Sequence, residues 1–231
     1  MPMENALVEL RGLGKHFGEG VTRVDALAGV DLDVHAGEVV GLLGPSGSGK
    51  STLLNLVGCI LEPTEGIMRF DGEEVWNRQW KRKDLRRLRL EKIGFIFQFH
   101  NLLPFLNAWE NVAIVRTLLG DPASSAQRRA FDLLDYLKMS HRREAMPAQL
   151  SGGEAQRVAI ARALANDSRI ILADEPTAAL DSERALAVIE LLRTAAAERR
   201  AAVLVVTHDD KIFGRLDKMV HLRDGRLDPN A

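Results

Sequence analysis

The sequence holds one cysteine, Cys59, one tyrosine, Tyr136, and no excess of either charge. A single cysteine excludes an internal disulfide framework and argues against a cysteine-built zinc site. Cys59 falls in the helix pattern that follows Thr52, where a small buried apolar residue is expected. With 31 basic and 32 acidic residues the formal net charge is −1, so no whole-molecule attraction draws the chain to nucleic acid or anionic lipid. No apolar run approaches the roughly 20 residues that cross a bilayer as a helix. Met1, Pro2, Met3, Glu4 and Asn5 lack the basic start and apolar core of a secretory signal. The expectation is a chain kept in the cytoplasm, with any membrane role supplied by a partner. Across 231 residues, 46% hydrophobic and 27% charged content suffices for one α/β unit, or a core with a subdomain.

Short β-rich apolar runs recur at Ile93 to Phe97, Ile170 to Ala173 and Val203 to Val206, separated by helix patterns. Near-continuous apolarity is what strands covered on both faces require, so a central parallel sheet is predicted. Ala6 to Leu10, Asp25 to Leu27 and Val30 to Val34 alternate with polar residues, predicting a small antiparallel sheet at one side. From about 98 to 165 helix patterns dominate, notably Asn107 to Leu119 and Ala126 to Lys138, broken by an expected loop over Gly120 to Ser125. Trp76 to Lys92 carries eight basic residues against Asp84 and Glu91, read as a solvated helix face with Leu85 and Leu88 on its apolar side.

The most informative segment is Gly44, Pro45, Ser46, Gly47, Ser48, Gly49, Lys50, Ser51 and Thr52. It follows an apolar strand-like run, Glu38 to Leu43, and precedes a helix pattern marked by Leu53, Leu56, Val57 and Ile60. Strand, glycine-rich loop and helix together form a phosphate cradle. Backbone amides turn inward at a β-phosphate, Lys50 adds a fixed positive charge, and the helix N-terminus reinforces both. Ser51 offers a hydroxyl to Mg²⁺. A plain glycine turn has no need of the Lys-Ser pair at its exit. Further on, Ile170 to Ala173 delivers Asp174 and Glu175 to the C-terminal edge of a buried strand, where ligands bind in open α/β sheets. Asp174 is placed to hold Mg²⁺ and Glu175 to orient or deprotonate an attacking water.

Leu150, Ser151, Gly152, Gly153, Glu154, Ala155, Gln156 and Arg157 then resemble the signature sequence of ATP-binding-cassette (ABC) ATPases, in the family's order between phosphate loop and Asp174. Phe17 resembles the aromatic that stacks on adenine. Gln98 resembles the glutamine that touches Mg²⁺ and the water. Ala179, Leu180 and Asp181 resemble the loop that crosses the dimer seam, and His208 the switch histidine near the γ-phosphate. The resemblance runs from about residue 6 to 227. It implies an α/β P-loop fold of the ABC type: a central parallel sheet, an N-terminal antiparallel β-subdomain and a helical subdomain. The expected organisation is one domain over 1–231, with a core of about 1–97 and 166–231 and a helical subdomain of about 98–165. It also implies ATP and Mg²⁺ as ligands and an ATP-dependent homodimer. There, Ser151, Gly152, Gly153 and Asp181 complete the site of the other chain.

Among ABC proteins, chromosome-type members need a long coiled coil, excision-repair members cysteine-rich zinc modules, and translation members two cassettes per chain. None of these fits one cysteine, one signature and about a hundred residues between loop and signature. The segments Leu61 to Gly66, Ile93 to Gln98, Ala173 to Asp181 and Val206 to Asp209 are similar to the macrolide-exporter and lipoprotein-release subfamily. Phe99 to Leu106 is similar to its glycolipid- and haem-exporter branches. That resemblance implies a separate permease with four spanning helices and a large extracytoplasmic domain, with a periplasmic or extracellular adaptor as a further partner. The chain itself is expected at the cytoplasmic face of the inner or plasma membrane. Nucleic acid is not an expected partner. A cell-division relative that drives mechanotransmission stays open beside export. The chain ends soon after an expected hairpin, Met219 to Leu227, which reads as a stripped-down ATPase.

Overall fold

The structure, a computed structural model, describes residues 6–178 and 180–228. Two long antiparallel strands, β1 (Val8–Phe17) and β2 (Val24–Val34), lead into β3 (Val39–Leu43), which is buried at every position. The helix α1 (Lys50–Val57) follows, then the hairpin β4 (Glu65–Phe70) and β5 (Glu73–Asn77), α2 (Leu85–Lys92) and β6 (Ile93–Ile96). Three helices come next, α3 (Ala108–Leu119), α4 (Ala123–Tyr136) and α5 (Gly152–Leu164). The chain returns through β7 (Ile170–Asp174), α6 (Ser182–Arg199), β8 (Ala202–Val206) and the hairpin β9 (Lys218–Arg223) and β10 (Arg226–Asp228).

Two sheets result, one of order β2-β1-β4-β5 and one of order β10-β9-β3-β8-β7-β6. The first is antiparallel. In the second, β9, β3, β8, β7 and β6 run parallel and β10 returns antiparallel to β9. The period-2 geometry of a strand divides its apolar residues between two cores. Val203 and Val205 of β8 pack with α3 to α6, while Leu204 and Val206 pack with α1 and the antiparallel sheet. Both faces are covered, which is why these strands read as unbroken apolar runs.

Four sequence expectations need correction. Asp25 to Leu27 and Val30 to Val34 are parts of one strand, β2, and β1 extends to Phe17. Register shifts between Leu10 and Leu13, Leu13 and Lys15, and Lys15 and His16 bend this pair without ending it, so the alternation breaks where the strand does not. The expected loop over Gly120 to Ser125 ends at Pro122, because a proline at φ −56° starts α4 at Ala123. Helix α1 stops at Val57, so Ile60 lies outside it and is exposed. Cys59 also lies past the helix, at φ 51°, yet it is buried as expected and burial pushes its thiol up to about 12. Finally, only Leu85–Lys92 of the basic stretch is helical, while Trp76 is buried in β5 and meets Trp80 edge-on at 5.2 Å.

The segment joining β6 to α3 is held from inside by Asn111, which is wholly buried. Its side-chain oxygen accepts from Leu103 N at 2.7 Å, and its nitrogen faces the carbonyls of Leu103, Leu106 and Asn107 at 3.1, 2.8 and 3.0 Å. Asn111→Leu would keep the volume and orphan this buried backbone. The expected loss is about 2–4 kcal/mol in denaturant unfolding. A loss under about 0.5 kcal/mol, the range of neutral surface changes, would refute the pinning role.

Candidate nucleotide site

Between β3 and α1 the backbone approaches its neighbours too closely for side chains. Gly44 sits at φ 140°, and a Cβ there would lie 2.1 Å from Leu222 O. Gly49 sits at φ 105°, with a Cβ position 2.5 Å from Ala26 O. The loop is thereby seated on β9 and β2, and Gly225 N donates to Ser48 O at 3.1 Å. Helix α1 carries no side-chain cap at Gly49, so its first amides stay free for an anion. Lys50 Nζ donates to Gly44 O and Pro45 O, each at 2.7 Å. Both are neutral acceptors, and among the described residues no carboxylate pairs with this ammonium, which lines the cleft.

The cleft has a volume of about 490 Å³. Of the residues singled out in the sequence, it gathers Gly44, Ser46, Gly47, Gly49, Lys50, Ser51, Thr52, Gln98, Asp174, Glu175 and His208. Ala26 and Val206 complete its lining and carry no sequence signal beyond apolar strand positions. Asp174 ends β7; burial holds its carboxyl above the ordinary aspartate value, the Glu175 charge adds to this, and Lys50 opposes it. Glu175 takes φ 48°, a left-handed conformation uncommon for a residue with a side chain. Its N–H donates to Val206 O at 2.9 Å, and Oε1 lies 2.7 Å from Nδ1 of His208. The Glu175 side chain is 14% exposed and that of His208 72%, so the carboxylate sits inside and the imidazole caps it. Gln98 lies in an exposed turn closed by His100 N and Phe97 O at 3.1 Å.

The remaining sequence candidates do not line this cleft. Ser48 packs behind the loop, its Oγ 2.9 Å from the point where a Gly44 Cβ would stand. Pro45 supplies only its carbonyl, to Lys50. Phe17 ends β1 opposite Val24, two residues from Ala26; its ring is 44% exposed, with Lys15 Nζ at 5.1 Å. Ser151 caps α5 in a reciprocal pair with Glu154: Glu154 N donates to Ser151 Oγ at 3.3 Å, and Ser151 N to Glu154 Oε2 at 2.8 Å. A Cβ on Gly152 would meet nothing within 4 Å, and on Gly153 only Arg184 Cδ at 3.8 Å. Asp181 caps α6 through Arg184 N at 2.9 Å, while Ala179 beside it lies outside the described residues.

Sequence reasoning assigned nothing to Thr177 and Asp209, which tie the turns after β7 and β8. Thr177 Oγ donates to Asp209 Oδ2 at 3.3 Å, and Asp209 N donates to Thr207 Oγ at 3.0 Å. Both flank motif residues, but their pairing is across strands and left no local signal. Among the described residues no group of three or more His, Cys, Asp or Glu forms a metal cluster. A hard cation that keeps most of its waters needs no such group. Ser51, Gln98 and Asp174, which carry hydroxyl, amide and carboxylate oxygens, are all among the residues that line the cleft.

A family model described as ABC transporter matches residues 27–178. The chain belongs to the ABC transporter ATPase family. It is 43% identical to lipoprotein-releasing system ATP-binding protein LolD 2 of Caulobacter vibrioides, over 98% of both chains. It is 47% identical to macrolide export ATP-binding/permease protein MacB 1/2 of Paracoccus denitrificans, over 96% of this chain and 33% of that relative. Among solved structures, the dimeric ATP-binding cassette MJ0796 in a post-hydrolysis state with ADP and Pi superposes with a TM-score of 0.85 at 39% identity, covering 96% of each chain. This ABC cassette is therefore an ATP-binding and ATP-hydrolysing transporter subunit. No helix among the described residues is long and apolar enough to cross a membrane.

Because the folded state raises the Asp174 pKa, it binds a proton more tightly than the unfolded chain does. Stability therefore falls as pH rises through the interval from the ordinary aspartate value to the raised one. Asp174→Asn is expected to raise the melting temperature of the nucleotide-free protein at pH 7. The gain should shrink as pH drops through the carboxylate range. A lower melting temperature at pH 7 would mean that attraction to Lys50 outweighs burial and the Glu175 charge.

Proposed function

We propose that this chain powers a separate permease that exports or releases an amphiphilic substrate, by closing around two ATP molecules as a head-to-tail homodimer. The observation carrying the catalytic part is the convergence of Lys50, Asp174, Glu175, Gln98 and His208 on one cleft. In this reading the loop from Gly44 to Thr52 cradles the phosphates, Lys50 faces the β- and γ-phosphates, and Phe17 stacks on adenine. Ser51, Gln98 and Asp174 hold Mg²⁺, whose chemistry is to neutralise charge developing between those phosphates. Glu175 orients the attacking water and accepts its proton. The 2.7 Å contact of His208 with Glu175 holds the carboxylate until nucleotide draws the imidazole toward the γ-phosphate. Ser151, Gly152 and Asp181 are exposed and Gly153 is half-buried at helix N-termini, where groups that complete a partner's site must be reachable. Binding then favours the closed dimer and hydrolysis reopens it.

The permease has a place to act. A groove of about 300 Å³ between α2, β6, α3 and α5 has Phe95, Phe97 and Leu118 in its lining, and Arg86 and Arg89 in its wall. Phe99 and Phe105 stand 80% and 72% exposed in the segment beside it. Two bare phenylalanines next to an apolar groove suit a docking face turned toward the cytoplasmic side of a membrane protein. We assign the permease four spanning helices and a large extracytoplasmic domain, with an adaptor outside, from likeness to the lipoprotein-release and macrolide-export relatives.

Glu175→Gln should bind ATP normally, lower turnover about 1,000-fold and accumulate an ATP-bound dimer, read by light scattering. Normal hydrolysis by that variant would remove Glu175 from the mechanism. Ser151→Arg should spare ATP binding by the monomer and block dimer formation; persistence of the ATP-driven dimer would refute the shared site. Tagged Glu175→Gln with ATP and Mg²⁺, recovered from native membranes, should bring down such a permease. Recovery of cell-wall hydrolase activators with the permease would favour mechanotransmission, and recovery of soluble or nucleic-acid partners alone would overturn the transport reading.

A further inference from the structure

One half-buried charge has no part in the chemistry above. Arg162, in the last turn of α5, donates from Nη1 to Asn101 O and from Nη2 to His100 O, each at 2.6 Å. No carboxylate among the described residues pairs with it, and burial lowers its pKa below the ordinary arginine value. A half-buried guanidinium answered only by two carbonyls gains little from its charge unless those carbonyls need holding. They do. His100 and Asn101 take φ of 57° and 46° in succession, and neither is glycine. Non-glycine residues visit this region singly, so a consecutive pair requires outside support. The amide of His100 closes the turn on Phe97 O at 3.1 Å, and Gln98 sits inside that turn, lining the cleft.

We propose that Arg162 is a positioning residue for Gln98. Its planar fork matches two adjacent carbonyls and fixes the left-handed pair, the pair sets the turn, and the turn aims Gln98 at the nucleotide. A lysine has no such fork. The same helix begins at Ser151, so α5 presents one end to the partner's nucleotide and, through Arg162, governs Gln98 in its own cleft. Arg162 also lines the apolar groove, so an occupant of that groove reaches Gln98 through this side chain. The inference rests on the reading of Gln98 as a residue that contacts Mg²⁺ and the attacking water.

The test is a double-mutant cycle in the full-length protein, with Arg162→Met, Gln98→Ala and the pair. Steady-state kcat, equilibrium ATP binding and melting temperature are measured on each. Arg162→Met is expected to lower kcat about 10- to 100-fold while ATP affinity stays within about twofold, since the phosphate loop is untouched. In the Gln98→Ala background it should cost nothing more, because the group it positions is gone. Arg162→Lys, which keeps the charge without the fork, should fall between wild type and Arg162→Met, and it carries the cycle if the methionine variant fails to fold. Equal losses of kcat in both backgrounds would overturn the positioning role while leaving Gln98 in the mechanism. Unchanged kcat in Arg162→Met would overturn it too. Normal turnover by Gln98→Ala alone would instead strike the reading of Gln98 on which the inference rests.

Discussion

The parallel register of β3, β8 and β7 is the constraint on which the site depends. Leu42 pairs with Val206, and Val206 with Asp174, so three chains leave the sheet at one level. The phosphate loop, the Thr207-His208 turn and Glu175 begin within a residue or two of that line. Side chains alternate with period 2, so a one-residue slip of β7 would turn Asp174 from the cleft and bring Ala173 to its place. The apolar partition of β7, with Ile171 and Ala173 in one core and Ile170 and Leu172 in the other, opposes the slip. Packing on both faces thus fixes catalytic geometry at the edge.

Within that frame the cleft keeps its charges out of balance. Lys50 rests on carbonyls, and Asp174 and Glu175 stand adjacent with burial working against the first of them. Glu175 also occupies a left-handed backbone conformation, held by its N–H on Val206 O. These features oppose stability in the empty protein and fit a site completed by a polyanion and a divalent cation.

The helical part stands in a different relation to sequence. Its helices announce themselves through caps that are local: Asn107 with Glu110 and Ser151 with Glu154 satisfy one another within a single turn. The segment between β6 and α3 does not. It is held by Asn111 and Arg162, whose partners are backbone carbonyls brought near by folding. Nothing in the spacing of those residues distinguishes them from ordinary helix positions.

Legibility divides along that same line. The phosphate loop, Asp174 with Glu175, and the buried parallel strands were readable because each depends on residue types within a few positions of one another. The long antiparallel strands β1 and β2 were read in fragments, since bulges disturb the alternation that marks a strand. The start of α4 lies inside the expected loop over Gly120 to Ser125, because Pro122 caps the helix and Ala123 begins it. Sequence alone determined the family, the ATP chemistry and most of the side chains that line the cleft, since these follow from backbone freedom and local charge. The tertiary structure decided which of them share the cleft, that His208 leans on Glu175, and that Arg162 reaches the loop bearing Gln98. Those relations are contacts between segments distant in the chain, and their energies exist only once the sheet and its two cores have closed.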